Sequence, residues 1–300
     1  MWHFTERSVV TALGAGLLLC SGCVTLGATP EEQEKHFKVQ GRPLVVLQNI
    51  VDGRIEVKSW KNAEVVVTSS AASDKVAIDV EQVGDRIDIN ASSLVSSAQP
   101  HQAEANFQLV VPEQTELQLK TQTGLILVEQ VNGDMKLQSV AGDVHLKEVS
   151  GYIIVKTTGG SLVCTLCSGK LEFTSISGNA QILQPSLNSV NVMTTTGNIL
   201  YDGDFVHTGF YQMNSGRGVI EVRFSGNDSF DLKAETSSGT VDNQAAAFLK
   251  PDSHGNRTNN DKFRHGLFGT VGQGLAKVEL SSYSGTIRIL KRDYRARPEL

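Results

Sequence analysis

The stretch TQTGLILVEQVNGDMKLQSVAGDVHLKEVSGYIIVKTTGGSLVCTLCSGK, residues 121–170, comes close to repeating itself every 18 residues. Its turn glycines at 124, 142 and 160 open a series that runs on through Gly178, Gly197, Gly218 and Gly239 to Gly285. Aligned on these glycines, the chain falls into columns. Seven residues before each glycine the side chain is apolar, from Leu117, Met135 and Ile153 to Leu232 and Val278. Three before, it is always a hydroxyl residue, from Thr121, Ser139 and Thr157 to Thr236 and Ser282. Two after, it is apolar again, from Ile126 and Val144 to Val241 and Ile287. Apolar positions two apart carry the period of a strand, so each glycine joins two short strands that turn one face inward.

A repeat of about 18–21 residues fits one coil of a β-solenoid and is too short for a four-stranded propeller blade. The pattern therefore predicts an all-β chain in which each coil stacks on the last and lays like residues in ladders. The glycine is expected to supply a positive φ at the corner. The hydroxyl column has two readings: bonds up the stack, or bonds to the corner backbone beside the glycine. One coil buries too little apolar surface to offset the ordering of its own backbone, so coils need neighbours and the ends need caps.

Outward from the repeats, residues 41–115 read as a β region that caps or continues the solenoid. GRIEVKSW (53–60) repeats the turn pattern, and EVVVTSS, KVAIDV, DRIDIN and NFQLVV are further short alternating strands. Pro112 precedes the regular block, 116–300. Residues 244–275 interrupt its last two coils and, being rich in Asn, Gly and His, read as an exposed loop. Asn243 to Leu249 (NQAAAFL) is the one stretch of the mature chain with helical character.

The N-terminus reads as a targeting segment. Arg7 precedes an uncharged, mostly apolar run from Val9 to Leu19, too short to span a bilayer and suited to a signal-peptide core. Ser21 and Gly22 then lead into Cys23, as in a bacterial lipoprotein signal, although Cys20 stands where an aliphatic residue is usual. This divides the chain into a signal peptide (1–22), a lipidated Cys23 with a polar tether (23–40), and the β region. A lipid anchor on a membrane leaflet and an extracytoplasmic, membrane-anchored place in a bacterial cell envelope follow. Disulfides are permitted there. The net charge of −5 and pI of about 5.8 exclude the concentrated basic footprint of a nucleic-acid binder.

Cys164 and Cys167 have the spacing of a redox motif, a zinc half-site or a disulfide hairpin. Cys164, however, falls in the apolar column of Val128 and Leu146, and Cys167 where Val131 and Val149 stand. They read as two core positions filled by a small sulfur-bearing hydrophobe. After signal removal they are the only thiols besides Cys23, so a disulfide between them is expected.

The G-x-I-x-V segment at Gly53, Ile55 and Val57, the Val111-Pro112 boundary, and the units TQTGLI, TTTGNI, TSSGTV and SYSGTI resemble the bacterial putative-adhesin family, a β-helical domain of unknown function. The resemblance covers residues 41–290. It implies a right-handed parallel β-helix and an extracytoplasmic surface or envelope role, and it supplies no catalytic residue. The chain departs from the family by the 244–275 insertion and by coils that lengthen after Gly178.

Candidate sites are few. No polar column is sustained through the coils, as an enzymatic face would need. YDGDFVH gathers Asp202, Asp204 and His207, a set that could bind a divalent cation or be a polar loop between coils. His254, His265, Asp252 and Asp261 lie in the insertion, and Arg288, Lys291, Arg292, Arg295 and Arg297 make a basic tail. There is no G-x-S-x-G elbow, phosphate loop or H-E-x-x-H, and no cofactor is expected. These features point to a non-enzymatic, adhesin-like envelope protein that binds protein or glycan or acts structurally. The alternatives are a polysaccharide-active β-helix enzyme, with Asp202, Asp204 and His207 as its candidates, and an envelope stress-sensing lipoprotein.

Overall fold

The computed structural model describes residues 31–94, 103–251 and 265–292; the signal segment, Cys23, residues 252–264 and the last eight residues lie outside them. Two long sheets of 12 and 13 strands face each other across one apolar core. Pairing between successive repeats is parallel and in the register read from the glycines: Leu117, Met135, Ile153 and Leu171 are direct neighbours. The chain crosses from one sheet to the other at each turn glycine and returns at a second corner, so a coil is two strands and two corners. The inward columns are fully buried, Leu117, Leu137, Ile126 and Val144 among them. The fold is a parallel β-solenoid.

The turn glycines owe their identity to close approach more than to φ. A positive φ occurs at Gly53 and Gly124 only, out of this column. A Cβ on Gly142 would collide with the carbonyl of Gly124, one on Gly160 with Gly142, one on Gly178 with Gly160, and so on through Gly285 and Gly239. The expectation of a left-handed corner at each coil is corrected by this ladder: backbones stack with no room for a side chain. The outermost coil at one end bears this out. There the corner position is Ala105, whose carbonyl meets Gly53, and a Cβ is accommodated.

The left-handed conformations lie at the second corner, on side-chain-bearing residues: Gln130, Glu148, Leu166 and Gln184, with φ from 48° to 60°. The buried hydroxyls fill both roles left open by the sequence. Ser139, Ser175, Thr194, Ser215, Thr236 and Ser282 accept the N–H of the glycine three residues on, at 2.7–3.0 Å. Thr194 and Ser215 also donate to the glycine carbonyl of the preceding coil.

Coils lengthen after Gly178 for identifiable reasons. A bulge at Asn188 shifts the pairing so that Lys170 faces Ser189. The added residues 203–209 then form the turn between Asp202 and Phe210.

Both ends depart from simple stacking. The first coil, Leu44–Asn49 with Ile55–Trp60, lies between the coil of Glu116–Thr121 and Leu125–Glu129 and that of Arg86–Ser93 and Ala105–Pro112. The last coil, Ala276–Ser282 with Thr286–Lys291, slots between the coil of Phe210–Ser215 and Ile220–Phe224 and that of Phe230–Thr236 and Thr240–Asn243. Antiparallel strands then close the stack: Glu64–Ala71 and Glu31–Lys38 on one sheet, and Val76–Val83 on the other. At the far end, His265–Val271 and Lys250–Pro251 close the second sheet.

Three expectations change accordingly. Residues 31–38, read as tether, form an edge strand held by backbone pairing, in which Phe37 is the side chain packed on the core. The 244–275 insertion is not loop throughout: its second strand pairs with Phe230–Thr236 and shields that edge. Asn243 to Leu249 makes a turn, with the Asn243 side chain accepting the N–H of Ala245, and the described residues contain no helix.

Candidate functional site

Asp202 ends the strand Ile199–Asp202, and Asp204 and His207 follow it in a turn pinned from below. Phe205 is buried and stacks on Tyr201 at 4.8 Å, with Tyr211 and Phe230 edge-on to it at 4.6 and 4.7 Å. Buried Asp228 accepts the N–H of Phe205 at 3.0 Å and that of Ser229 at 2.8 Å. Burial raises the Asp228 carboxyl above the usual carboxylate range, against the pull of those two N–H groups. Burial likewise drives the Tyr201 hydroxyl well above the ordinary phenol range.

The candidate carboxylates face guanidinium groups. Asp202 accepts from Arg292 Nε at 2.6 Å and lies 3.7 Å from Arg223 Nη1. Asp204 accepts the N–H of Ser225 at 3.0 Å and lies 3.6 Å from Arg292 Nη1. His207 is exposed, on the side of Asp228. Among the described residues, no group of three or more His, Cys, Asp or Glu side chains is arranged to hold a metal ion. Asp202 and Asp204 are thus bridged by one guanidinium, that of Arg292, and His207 stands apart from that contact.

Cys164 and Cys167 are fully buried and joined, with Cα atoms 6.0 Å apart. They occupy core columns, Cys164 between Leu146 and Ile182. Of the basic tail, Arg292 holds the two aspartates, Lys291 sits over the Phe248 ring at 4.5 Å, and Arg288 lies on the outer sheet face beside Glu221. Arg295 and Arg297 lie outside the described residues, as do His254, Asp252 and Asp261.

The structure adds a feature beyond the sequence candidates. The residue directly after the turn glycine is Asp143, Ser161, Asn179 and Asn198 in four successive coils. Each side chain accepts the backbone N–H of its counterpart one coil on: Ser161 to Asp143 at 2.7 Å, Asn179 to Ser161 at 3.3 Å, Asn198 to Asn179 at 2.8 Å and Val219 to Asn198 at 2.8 Å. This short polar ladder was legible in the alignment on glycine, one column before the apolar residues Val144, Leu162, Ala180 and Ile199.

Beside its asparagine end lies a groove of about 370 Å³ on the outer face of the sheet. Its floor is Leu200 with the backbone of Ala180 and Ile199, and its walls include Gln181, Glu221, Arg223 and Arg288. Glu221 is the salt-bridge centre of the wall: Arg223 Nε donates to it at 2.7 Å, and Arg288 Nη1 approaches at 3.7 Å.

Among solved structures, a putative adhesin from Bacteroides fragilis is 11% identical and aligns over 87% of this chain and 98% of its own, with a TM-score of 0.44. A putative cell adhesion protein from Clostridium sporogenes is 11% identical over 88% of this chain and all of its own, with a TM-score of 0.32. A putative lipid binding protein from Parabacteroides distasonis is 10% identical over 87% and 97%, with a TM-score of 0.23. No curated protein matches the chain. The model of the Toastrack DUF4097 family matches residues 47–290, from the first coil to the last strand, and the chain belongs to that family of bacterial domains of unknown function.

Proposed function

We propose that this chain is a non-enzymatic, adhesin-like β-solenoid of the bacterial cell envelope, held at a membrane through a lipid on Cys23 and binding an envelope protein or glycan through an outer sheet face. One observation carries the reading. Ten coils are locked in register by the glycine corners, so their outward columns repeat at about 4.8 Å over a stack roughly 43 Å long. Such a surface needs no rearrangement to meet a repetitive or extended ligand, and this lowers the ordering cost of association.

The anchor and the binding surface are tested separately. Metabolic labelling with a fatty-acid analogue is expected to mark the parent and not Cys23→Ser; an unlabelled parent removes the anchor. Purified protein is expected to be retained saturably on isolated envelope fractions from which the native protein is absent. Failure of retention at micromolar concentration overturns the binding role.

A further inference from the structure

We infer that the groove above Leu200 is a subsite for an acidic polysaccharide, one carrying carboxylates on its sugar rings. The inference rests on the adhesin-like reading and names its ligand. The argument begins with the asparagines. Oδ1 of Asn179 accepts the N–H of Asn198, and Oδ1 of Asn198 accepts that of Val219, both at 2.8 Å. A backbone N–H can be met only by the carbonyl end of the amide, so the orientation of both side chains is fixed. Their Nδ2 groups are left as donors with no protein acceptor among the described residues, on exposed side chains one coil apart. Both residues line the groove.

The charged wall has the same bias. Glu221 is its only carboxylate, with a side chain 17% exposed, and its two oxygens face Arg223 and Arg288. The Arg288 side chain is 46% exposed, and its one ionic contact is the 3.7 Å approach to Glu221. Arg223 is engaged by Glu221 and, at 3.7 Å, by Asp202, so the guanidinium left with free donors toward the groove is that of Arg288. The free hydrogen-bonding capacity is therefore mostly donor: two oriented amides and the outer edge of Arg288, with the Gln181 amide able to serve as donor or acceptor beside them. An acceptor-rich anion is the complement, and a carboxylate presents the planar pair of oxygens that a guanidinium engages best.

Scale and shape select a chain of sugars as the source of that carboxylate. The strands that carry the two amide donors are about 4.8 Å apart, close to the length of one sugar ring. The groove is shallow, and its floor is the aliphatic side chain of Leu200, suited to the C–H face of a pyranose. Its volume matches one or two sugar rings and is open to the face along which further rings would run.

The test uses the purified full chain in calorimetric titration with tetragalacturonate, against cellotetraose as the neutral sugar and oligoglutamate as the acidic peptide. Saturable binding of tetragalacturonate is expected, at least tenfold tighter than that of the other two and weakening as salt is raised. Arg288→Gln is expected to lose at least tenfold in affinity and Gln181→Ala several-fold, with an unchanged thermal midpoint in each, because both side chains are on the outer face. Equal binding of oligoglutamate overturns the sugar assignment. Absence of tetragalacturonate binding, or unchanged affinity in Arg288→Gln, overturns the groove. The adhesin-like reading fails on a different result: a parent protein that isolated envelopes do not retain.

Discussion

The middle and the ends of this solenoid are built from the same coil but joined by different rules. From Glu116 to Phe224 successive coils pair with one another in the order of the sequence, at separations of 18 to 21 residues. At both ends the terminal coil of the domain is tucked one place inward and covered by its neighbour in sequence. The coil of residues 276–291 pairs with that of 210–224 across 67 residues, although the coil of 230–243 offers the same register at 21. The longer closure costs only about 1 kcal/mol more. In return, the first and last coils have partners on both sides, and the coils left outermost are covered by antiparallel strands on all but one sheet edge. In a stacked repeat the end units are the ones that fray. Here the units nearest the chain termini are not the end units.

The largest effect should come from breaking that arrangement. Truncation before residue 276 removes Val278, Leu280, Ile287 and Ile289, all buried, worth roughly 6–12 kcal/mol at ~1.5–3 each, and leaves a gap inside the stack. An in-register deletion of residues 143–160 removes a middle coil of similar content but brings Gly142 next to Ser161, as Gly160 was, and the stack closes. Circular dichroism melts are expected to show one cooperative transition near the parent's for the internal deletion, and a lower, broadened or split one for the truncation. If the two variants melt alike, the coil of 230–243 has simply dropped onto that of 210–224, and tucking the last coil adds nothing.

A smaller effect separates neighbouring residues within the middle. A Cβ on Gly160 would strike the Gly142 carbonyl, whereas one on Gly159 meets its nearest atom at an ordinary 3.6 Å. Gly160→Ala is expected to destabilise by about 3 kcal/mol or more and Gly159→Ala by under ~1 kcal/mol, in denaturant titration. The end coil supplies the control. At the corner of the outermost coil Ala105 is native, and Ala105→Gly should cost no more than ~1 kcal/mol. Equal effects at 159 and 160 would mean that the corner backbones can separate.

These contrasts also mark how far the sequence could be read. The coil, its period and its buried columns were legible because a parallel stack forces one residue type to recur at one offset, as at Leu117, Met135 and Ile153. The order of the last two coils was not legible, because Gly239 and Gly285 carry equivalent columns and either fits beside Gly218. The strand 31–38 was hidden because its pairing is made by backbone, and a single Phe37 gives no period. Asp202, Asp204 and His207 looked like a cluster because they are close along the chain; the structure turns the two aspartates toward Arg292, 90 residues from Asp202. The groove could have been suspected from Asn179 and Asn198. Arg223 comes from the next coil in sequence, but Arg288 comes from a coil that only the folded stack brings alongside.

The smallest effect concerns the second corner, where the middle coils carry a strain that the glycine corner avoids. Leu166 holds φ at 56° with its side chain 45% exposed, so it has the left-handed conformation without the burial that would offset it. A left-handed leucine costs roughly 1–2 kcal/mol, and asparagine tolerates the region better through its short polar side chain. Leu166→Asn is therefore expected to stabilise the fold by ~0.5–1 kcal/mol, seen as a higher midpoint at constant slope in denaturant titration. Glycine there should do less well than asparagine, because it also loosens the unfolded chain. A destabilised Leu166→Asn would show that the leucine packs along the corner despite its exposure. The corner would then be held by contact between successive coils rather than by backbone alone.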